Sequence, residues 1–142
     1  MGTKRSYLEL NKSEHIKVLA EQLNTIRNRF YLLGRQDRMI MSMYLDKEMS
    51  FRQIALLFNT NPNRISRRIR KIIFELSNGK FIFCMKKRER FTRYEMDIAK
   101  DYFVRGLSIK QIAQKKNTSF YHIRELLKEV RHNINKIQKE KL

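Results

Sequence analysis

The side chains of this chain that could do chemistry are mostly cations. Its 142 residues include 32 Lys or Arg and 14 Asp or Glu, which gives a formal net charge of +18 at pH 7. Between Asn61 and Arg90 there are ten basic residues and only two acidic ones. Such a run can neutralise a row of phosphates. The composition therefore favours a long polyanionic partner and argues against most enzymes of small anionic metabolites.

Groups that carry covalent, metal or acid–base chemistry are sparse. The histidines His15, His122 and His132 have no spacing typical of a metal site or a nucleophile pair, and the four glycines stand apart from one another. The single cysteine, Cys84, permits no internal disulfide and is most simply a small apolar residue. We therefore expect no enzyme activity, no metal and no cofactor.

The elements that must position the cations are predicted to be helices. One proline and four glycines leave little material for the turns of a sandwich or barrel, so the composition predicts a mostly α-helical fold. When the sequence is shifted by 58 residues, it matches itself. The pattern Ser-x-x-Gln-Ile-Ala-x-x-x-Asn-Thr occurs at 50–60 and again at 108–118. The same small unit, about 40 residues long, is therefore predicted to occur twice.

Local signals divide each copy into helices. In the first copy a helix is predicted over Gln36–Leu45, followed by a short helix that Ser50 caps and that ends near Phe58. Asn59, like Asn117 in the second copy, stands where the backbone is expected to have a positive φ, which Asn tolerates better than most residues.

A second, longer helix is predicted next, with Asn61 as its cap and Pro62 as its first residue. Its apolar stripe consists of Ile65, Ile69, Ile72 and Leu76. The stripe leaves basic and polar residues to the solvent: Asn63, Arg64, Arg67, Arg68 and Lys71. A helix, a short turn and a helix with a basic outer face are typical of a helix-turn-helix. The alternative is an ordinary pair of helices with a solvated charged face.

We expect an all-α fold with two tandem helix-turn-helix units. The first unit spans 35–76 and the second 91–142, which includes a long C-terminal helix. The connector, 77–90, is predicted to be an extended segment packed against one or both units. Residues 1–34 are predicted to contain an N-terminal helix whose apolar residues either cover the core or form a dimer contact: Ile16, Leu19, Leu23, Ile26, Phe30 and Leu33.

Three stretches of the first copy resemble a known family. They are Leu33–Ile40 (LGRQDRMI), Ser50–Ala55 (SFRQIA) and Asn61–Ile69 (NPNRISRRI). They resemble region 4 of sigma-70-family factors, the helix-turn-helix that reads promoters, and the second copy from Phe91 to Val130 is similar but looser. The chain has no equivalent of the sigma domain that clamps polymerase and melts the promoter. The resemblance therefore implies a DNA-binding fold rather than a free-standing initiation factor.

Carried over by position, the resemblance implies which residues contact DNA. In the first unit, base edges would be contacted by Asn61, Asn63, Arg64, Ser66 and Arg67. In the second unit, the same places are taken by Ser119, Tyr121, His122, Arg124 and Glu125. Arg can hold guanine in a bidentate pair and Asn can do the same for adenine. Phosphate contacts are expected from the neighbouring cations Arg68, Arg70, Lys71, Lys128, Arg52 and Lys110.

These observations predict a sequence-specific protein that binds double-stranded DNA with two recognition helices and regulates transcription in a bacterium or its mobile elements. We expect it in the cytoplasm, associated with the nucleoid and not with a membrane, because no apolar run approaches 18 residues. RNA polymerase and a second copy of the chain are further expected partners. Three alternatives stay open: a recognition subunit of a transposase or recombinase, a basic RNA-binding or ribosome-associated protein, and a polymerase-docked adaptor that reads no sequence.

Overall fold

The computed structural model describes residue 17 and residues 19–140, and these residues are mostly helical. In chain order the helices are α1 (19–28), α2 (Arg35–Leu45), α3 (Phe51–Leu57), α4 (Pro62–Asn78), α5 (Lys80–Lys86), α6 (Arg93–Ala99), α7 (Ile109–Lys115) and α8 (Phe120–Glu140). Short 3-10 turns lie at Phe30–Leu32 and Arg88–Arg90, and a π-helical turn at Lys100–Val104 continues α6. No strand occurs in the described residues, and the predicted all-α fold is confirmed.

The chain folds into two tandem helix-turn-helix units, and both units have the same capping hydrogen bonds. The first unit is α2, α3 and α4; the second is α6 with its π-helical turn, α7 and α8. The Oγ of Ser50 accepts from the backbone N–H of Gln53 at 3.1 Å, and the Oε1 of Gln53 accepts from the N–H of Ser50 at 2.9 Å. Ser108 and Gln111 form the same pair at the same distances. These capping boxes satisfy N–H groups that the first turn of a helix leaves free.

The turn of each unit depends on an asparagine in the left-handed region. Asn59 and Asn117 both have φ 53°, as predicted. The backbone N–H of Thr60 donates to the carbonyl oxygen of Ala55 at 3.0 Å, and the equivalent bond in the second unit measures 2.9 Å. Left-handed backbone is unfavourable for most L-residues but easier for Asn. The repeat in the sequence is therefore also a repeat of backbone geometry, with the same turn in both units.

Both units contribute to a continuous hydrophobic core. The predicted stripe of α4 is buried, and so is the corresponding stripe of α8: Ile123, Leu127, Val130, Ile134 and Ile137. Ala55 is buried where α3 meets α4, and Ala113 is buried where α7 meets α8. Their small side chains allow each pair of helices to approach closely.

Residues 77–90 are helical rather than extended, so the prediction for the connector is wrong. After α4 the chain bends at Gly79, whose backbone is extended (φ −68°, ψ 166°), and α5 begins at the next residue. Phe81, Ile82 and Cys84 are buried. A helix can place these three residues on one side, whereas a strand would alternate them between two faces.

α5 joins the two units, since it packs against α4 on one side and against α6 and α8 on the other. Burial raises the pKa of the Cys84 thiol to about 12, so the thiol is neutral at physiological pH. Cys84 therefore behaves as a small apolar residue of the core, as the sequence indicated.

Polar contacts also link the units. Arg105, in the second unit, donates from Nε to the carbonyl oxygen of Leu32 at 3.2 Å and lies 3.6 Å from the carboxylate of Asp101. Asp101 is buried and accepts from the Nζ of Lys115 at 3.0 Å. This carboxylate therefore ties α7 to the end of α6, and through Arg105 it reaches the turn that precedes α2.

The ends of the long α8 and of α1 are held differently. α8 has 21 residues, and near its end Glu140 forms a bidentate ion pair with Arg90 (3.0 and 3.2 Å). In α1, Ile26 is buried, whereas Leu19 and Leu23 are 44% and 40% exposed. Within the described part of the predicted apolar stripe, Ile26 therefore covers the core, whereas Leu19 and Leu23 remain partly exposed. Ile16, the first residue of that stripe, lies outside the described residues.

The equivalent left-handed positions of the two units can be tested by opposite substitutions, one that introduces Gly and one that removes it. Glu48 (φ 52°) and Gly106 (φ 70°) are equivalent. We expect Glu48→Gly to raise the free energy of unfolding by about 1 kcal/mol, because Gly has no Cβ to clash in this conformation. Gly106→Ala should lower it by about 1 to 2 kcal/mol, since the backbone is strained for Ala and the added Cβ would lie 3.1 Å from Nη1 of Arg68.

Urea unfolding measures both effects. Glu48→Ala is the matched control, because it removes the exposed Glu side chain but keeps the Cβ that Glu48→Gly removes. We expect the control to change stability by less than about 0.5 kcal/mol. Changes of the same sign at positions 48 and 106 would contradict the assignment.

Candidate nucleic-acid interface

The orientation of α4 follows from its cap and its buried stripe. The Oδ1 of Asn61 accepts from the backbone N–H of Arg64 at 2.9 Å, and Pro62 is the first residue of the helix. Because the stripe of isoleucines faces the core, the opposite side of the helix faces the solvent. That outer face of α4 consists of Asn63, Arg64, Arg67, Arg70, Lys71 and Phe74.

The outer face of α4 is strongly cationic. Arg64, Arg67, Arg70 and Lys71 are exposed, and none of them forms an ion pair in the part of the chain that the structure describes. The Nε of Arg67 donates to the carbonyl oxygen of Asn63 at 3.4 Å, which leaves the rest of the guanidinium to the solvent. Exposed cations without a carboxylate partner attract polyanions most strongly, so this face is the best candidate for a nucleic-acid contact.

Arg68 was predicted to contact phosphate, but its guanidinium is engaged by a carboxylate inside the first unit. Its Nε donates to Oδ1 of Asp37 at 2.9 Å, and its Nη2 donates to Oδ2 of the same carboxylate. Asp37 is buried, so this bidentate pair ties α2 to α4 inside the first unit. A guanidinium that is needed to compensate a buried carboxylate is not free to neutralise a phosphate.

Two of the predicted base contacts are also less available than expected. The side chain of Ser66 is half-buried. The Oδ1 of Asn61 is already used as the helix cap, and bidentate reading of adenine requires both the oxygen and the nitrogen of the amide. Asn63, Arg64 and Arg67 are therefore the residues of the first unit best placed for base edges.

The rest of the basic run divides between free and engaged cations. Arg90 pairs with Glu140, Lys80 lies 5.6 Å from the ring centroid of Phe103, and Lys87 is half-buried. Six of the ten basic residues between 61 and 90 are exposed and form neither an ion pair nor a cation–π contact among the described residues: Arg64, Arg67, Arg70, Lys71, Lys86 and Arg88.

In the second unit, the predicted residues surround the start of α8. The Oγ of Ser119 accepts from the backbone N–H of His122 at 3.1 Å, so Ser119 caps α8 as Asn61 caps α4. Tyr121 is 63% exposed, and the guanidinium of Arg124 lies 5.4 Å from its ring centroid. The ring of His122 lies 6.1 Å from that of Tyr94. This end of α8 is therefore aromatic as well as basic.

The charge on α8 is mixed, unlike that on α4. Glu125 lies between two cations, with its Oε1 3.6 Å from Nη2 of Arg124 and 3.4 Å from Nζ of Lys128. Glu129 is exposed one turn further along. The carboxylates offset the cations of this helix, so its outer face attracts a polyanion less than that of α4 does.

The short helices α3 and α7 carry one predicted phosphate contact each. Arg52 and Lys110 are exposed and occupy the same position, the second residue of their helix. The structure also exposes aromatic residues that the sequence analysis left out: Phe74 on α4, Phe120 on α8 and Tyr94 on α6. Helical spacing places Phe74 four residues after Arg70, which could have indicated its position on the outer face.

Within the described residues, no helix is both long and apolar enough to cross a membrane, and no group of three His, Cys, Asp or Glu side chains could hold a metal ion. No protein-family model, curated protein or solved structure matches the chain. The resemblance to sigma-70 region 4 therefore stays a prediction, supported by the residues quoted above.

Proposed function

We propose that the protein binds double-stranded DNA sequence-specifically and regulates transcription, with α4 and α8 as its recognition helices. The observation that carries the proposal is the outer face of α4, where exposed cations that form no ion pair among the described residues lie opposite the buried stripe. A helix-turn-helix that occurs twice, with the same caps and left-handed asparagines, supports it. A nucleoid location would follow from such binding.

The dimensions suit a major groove. An α-helix with its side chains is about 10–12 Å wide, close to the roughly 12 Å width of that groove in B-DNA. When α4 lies in the groove, α3 crosses the phosphate backbone and brings Arg52 to it. Asn63 and Arg67 then meet base edges, whereas Arg70 and Lys71, about one turn further along the helix, meet phosphates.

RNA binding is the second candidate, and the exposed aromatic residues of the second unit favour it. Tyr121, Phe120 and Tyr94 are 63%, 50% and 40% exposed, and aromatic rings can stack on unpaired bases. The outer face of α4 favours duplex DNA instead, because side chains cannot read the deep and narrow major groove of an RNA helix.

Competition and salt dependence distinguish the two candidates. If about six phosphates are neutralised, by cations such as Arg52, Arg70 and Lys71, the logarithm of the affinity for duplex DNA should fall against the logarithm of the salt concentration with a slope of about −5. Duplex DNA should also displace a labelled duplex at a lower concentration than structured RNA does. Fluorescence anisotropy measures both. A slope near zero, or stronger competition by RNA, would contradict the proposal.

Substitutions on α4 separate base reading from phosphate contact. We expect Arg67→Ala to abolish the preference for guanine at one position of the site, at a cost of about 1 to 3 kcal/mol there. Lys71→Ala should weaken binding to all duplexes alike and reduce the salt slope by about 1. Binding assays on duplexes that differ at single positions report both effects. Equal behaviour of the two variants would show that the reading face has been misplaced.

Two partners belong to the same proposal. Contact with RNA polymerase rests on the resemblance to region 4. A homodimer through α1 is supported by the exposure of Leu19 and Leu23, which belong to the same apolar stripe as the buried Ile26. The groove beside them, about 540 Å³ in volume, is open between α1 and the end of α4.

The proposed dimer can be tested by measuring the molar mass of the protein in solution. We expect light scattering to give twice the chain mass of 17.4 kDa for the unchanged protein and the single mass for Leu23→Glu, because a buried charge without a partner disfavours the contact. Leu56→Glu is the matched control, since Leu56 is equally apolar, 77% exposed and outside α1. The control should remain dimeric. A monomeric unchanged protein would contradict the dimer but not the binding of DNA.

A further inference from the structure

The repeat places an acidic residue where the first unit has its central arginine. Glu125 of α8 is equivalent to Arg67 of α4 under the shift of 58 residues. Both follow a cap that accepts from the backbone N–H three residues later, and in both helices the position two residues earlier is a buried isoleucine. Equivalent backbone geometry means that the two side chains leave their helices in equivalent directions.

Glu125 lies in the first two turns of α8, where it contacts two cations of the same helix. Its side chain is 40% exposed, and the contacts to Arg124 (3.6 Å) and Lys128 (3.4 Å) involve a single carboxylate oxygen, Oε1. Both distances are long for charge-assisted hydrogen bonds. The two cations partly neutralise the carboxylate, and no contact to its Oε2 is present among the described residues, so Oε2 can accept from a ligand.

The chemistry of a carboxylate limits what it can recognise in a major groove. It carries no proton at neutral pH, so it can only accept hydrogen bonds, and phosphate repels it. Guanine offers two acceptors in the major groove, thymine an acceptor and a methyl group, and adenine a donor beside an acceptor. Cytosine offers the N4 amino donor alone, which makes it the base that suits a carboxylate best.

We propose that Glu125 is a specificity-determining residue that selects cytosine in the half-site contacted by the second unit. Arg67 would select guanine at the corresponding position of the first half-site. One chain would therefore read two different half-sites with two copies of the same backbone motif. Arg124 and Lys128 reduce the repulsion between Glu125 and the DNA backbone. This inference rests on the proposed binding of double-stranded DNA.

Selection of bound duplexes from a random pool tests the inference with four proteins: the unchanged chain, Glu125→Ala, Glu125→Arg and Arg67→Ala. The unchanged chain should prefer cytosine at one position by about 10-fold or more. Glu125→Ala should lose that preference and keep the rest of the motif. Glu125→Arg should replace it by a preference for guanine, and Arg67→Ala should leave the cytosine position unchanged.

A chemical probe of the duplex gives a second measurement. Replacing the selected cytosine by 2-pyrimidinone removes the N4 amino group. The replacement should weaken binding of the unchanged chain as much as Glu125→Ala does, and it should not weaken binding of Glu125→Ala further. Circular dichroism checks that the variants fold, which we expect because position 125 lies on the surface.

Three outcomes would overturn the inference, and they differ in what else they overturn. If Glu125→Ala tightens binding to all duplexes and leaves the motif unchanged, Glu125 only repels DNA and reads no base. If the 2-pyrimidinone duplex binds the unchanged chain normally, cytosine is not read through its amino group. If no motif is selected by the unchanged chain, sequence-specific binding itself fails.

Discussion

Burial of one apolar stripe on α4 is the constraint on which the interface depends. An α-helix repeats every 3.6 residues, so a helix that buries Ile65, Ile69 and Ile72 must turn its opposite side outward. Each of these side chains contributes about 1.5 to 3 kcal/mol when it is fully buried. An exposed ion pair contributes about 0 to 1 kcal/mol. The hydrophobic core, and not the charges, therefore determines that Arg67 and Arg70 face the solvent.

The two units have the same backbone but different buried ion pairs. In the first unit, Asp37 on α2 pairs with Arg68 on α4. In the second, Asp101 at the end of α6 pairs with Lys115 on α7. Neither pair has an equivalent in the other unit, since Met43 stands in the place of Asp101 and Leu126 in the place of Arg68. Caps and turns define the helix-turn-helix, whereas the ion pairs stabilise each unit in its own way.

The net charge of the chain says little about where a polyanion would bind, because the partners of each cation decide that. Arg68 and Arg90 are engaged by carboxylates, whereas Arg67 and Arg70 are exposed and form no ion pair among the described residues. On α8 the carboxylates lie on the outer face beside the cations. The exposed positive charge is therefore concentrated on α4, whereas α8 presents a surface of mixed charge and exposed aromatic rings.

The sequence by itself determined the features that depend on neighbours within a few residues. The capping boxes, the left-handed Asn59 and the cap and stripe of α4 could all be predicted, because each is formed by residues at most a few turns apart. The connector was predicted wrongly, since a short apolar run has no periodicity that distinguishes a strand from a buried helix. Its conformation was decided by packing between the two units.

Only the tertiary structure decided which basic residues are free. Asp37 and Arg68 are 31 residues apart in the chain, and Arg105 reaches a carbonyl oxygen 73 residues away. Contacts of this kind leave no periodic signal, because they depend on how the helices and the two units pack against one another. The sequence could therefore name the helix that carries the basic face, but not the members of that face that remain available to a ligand.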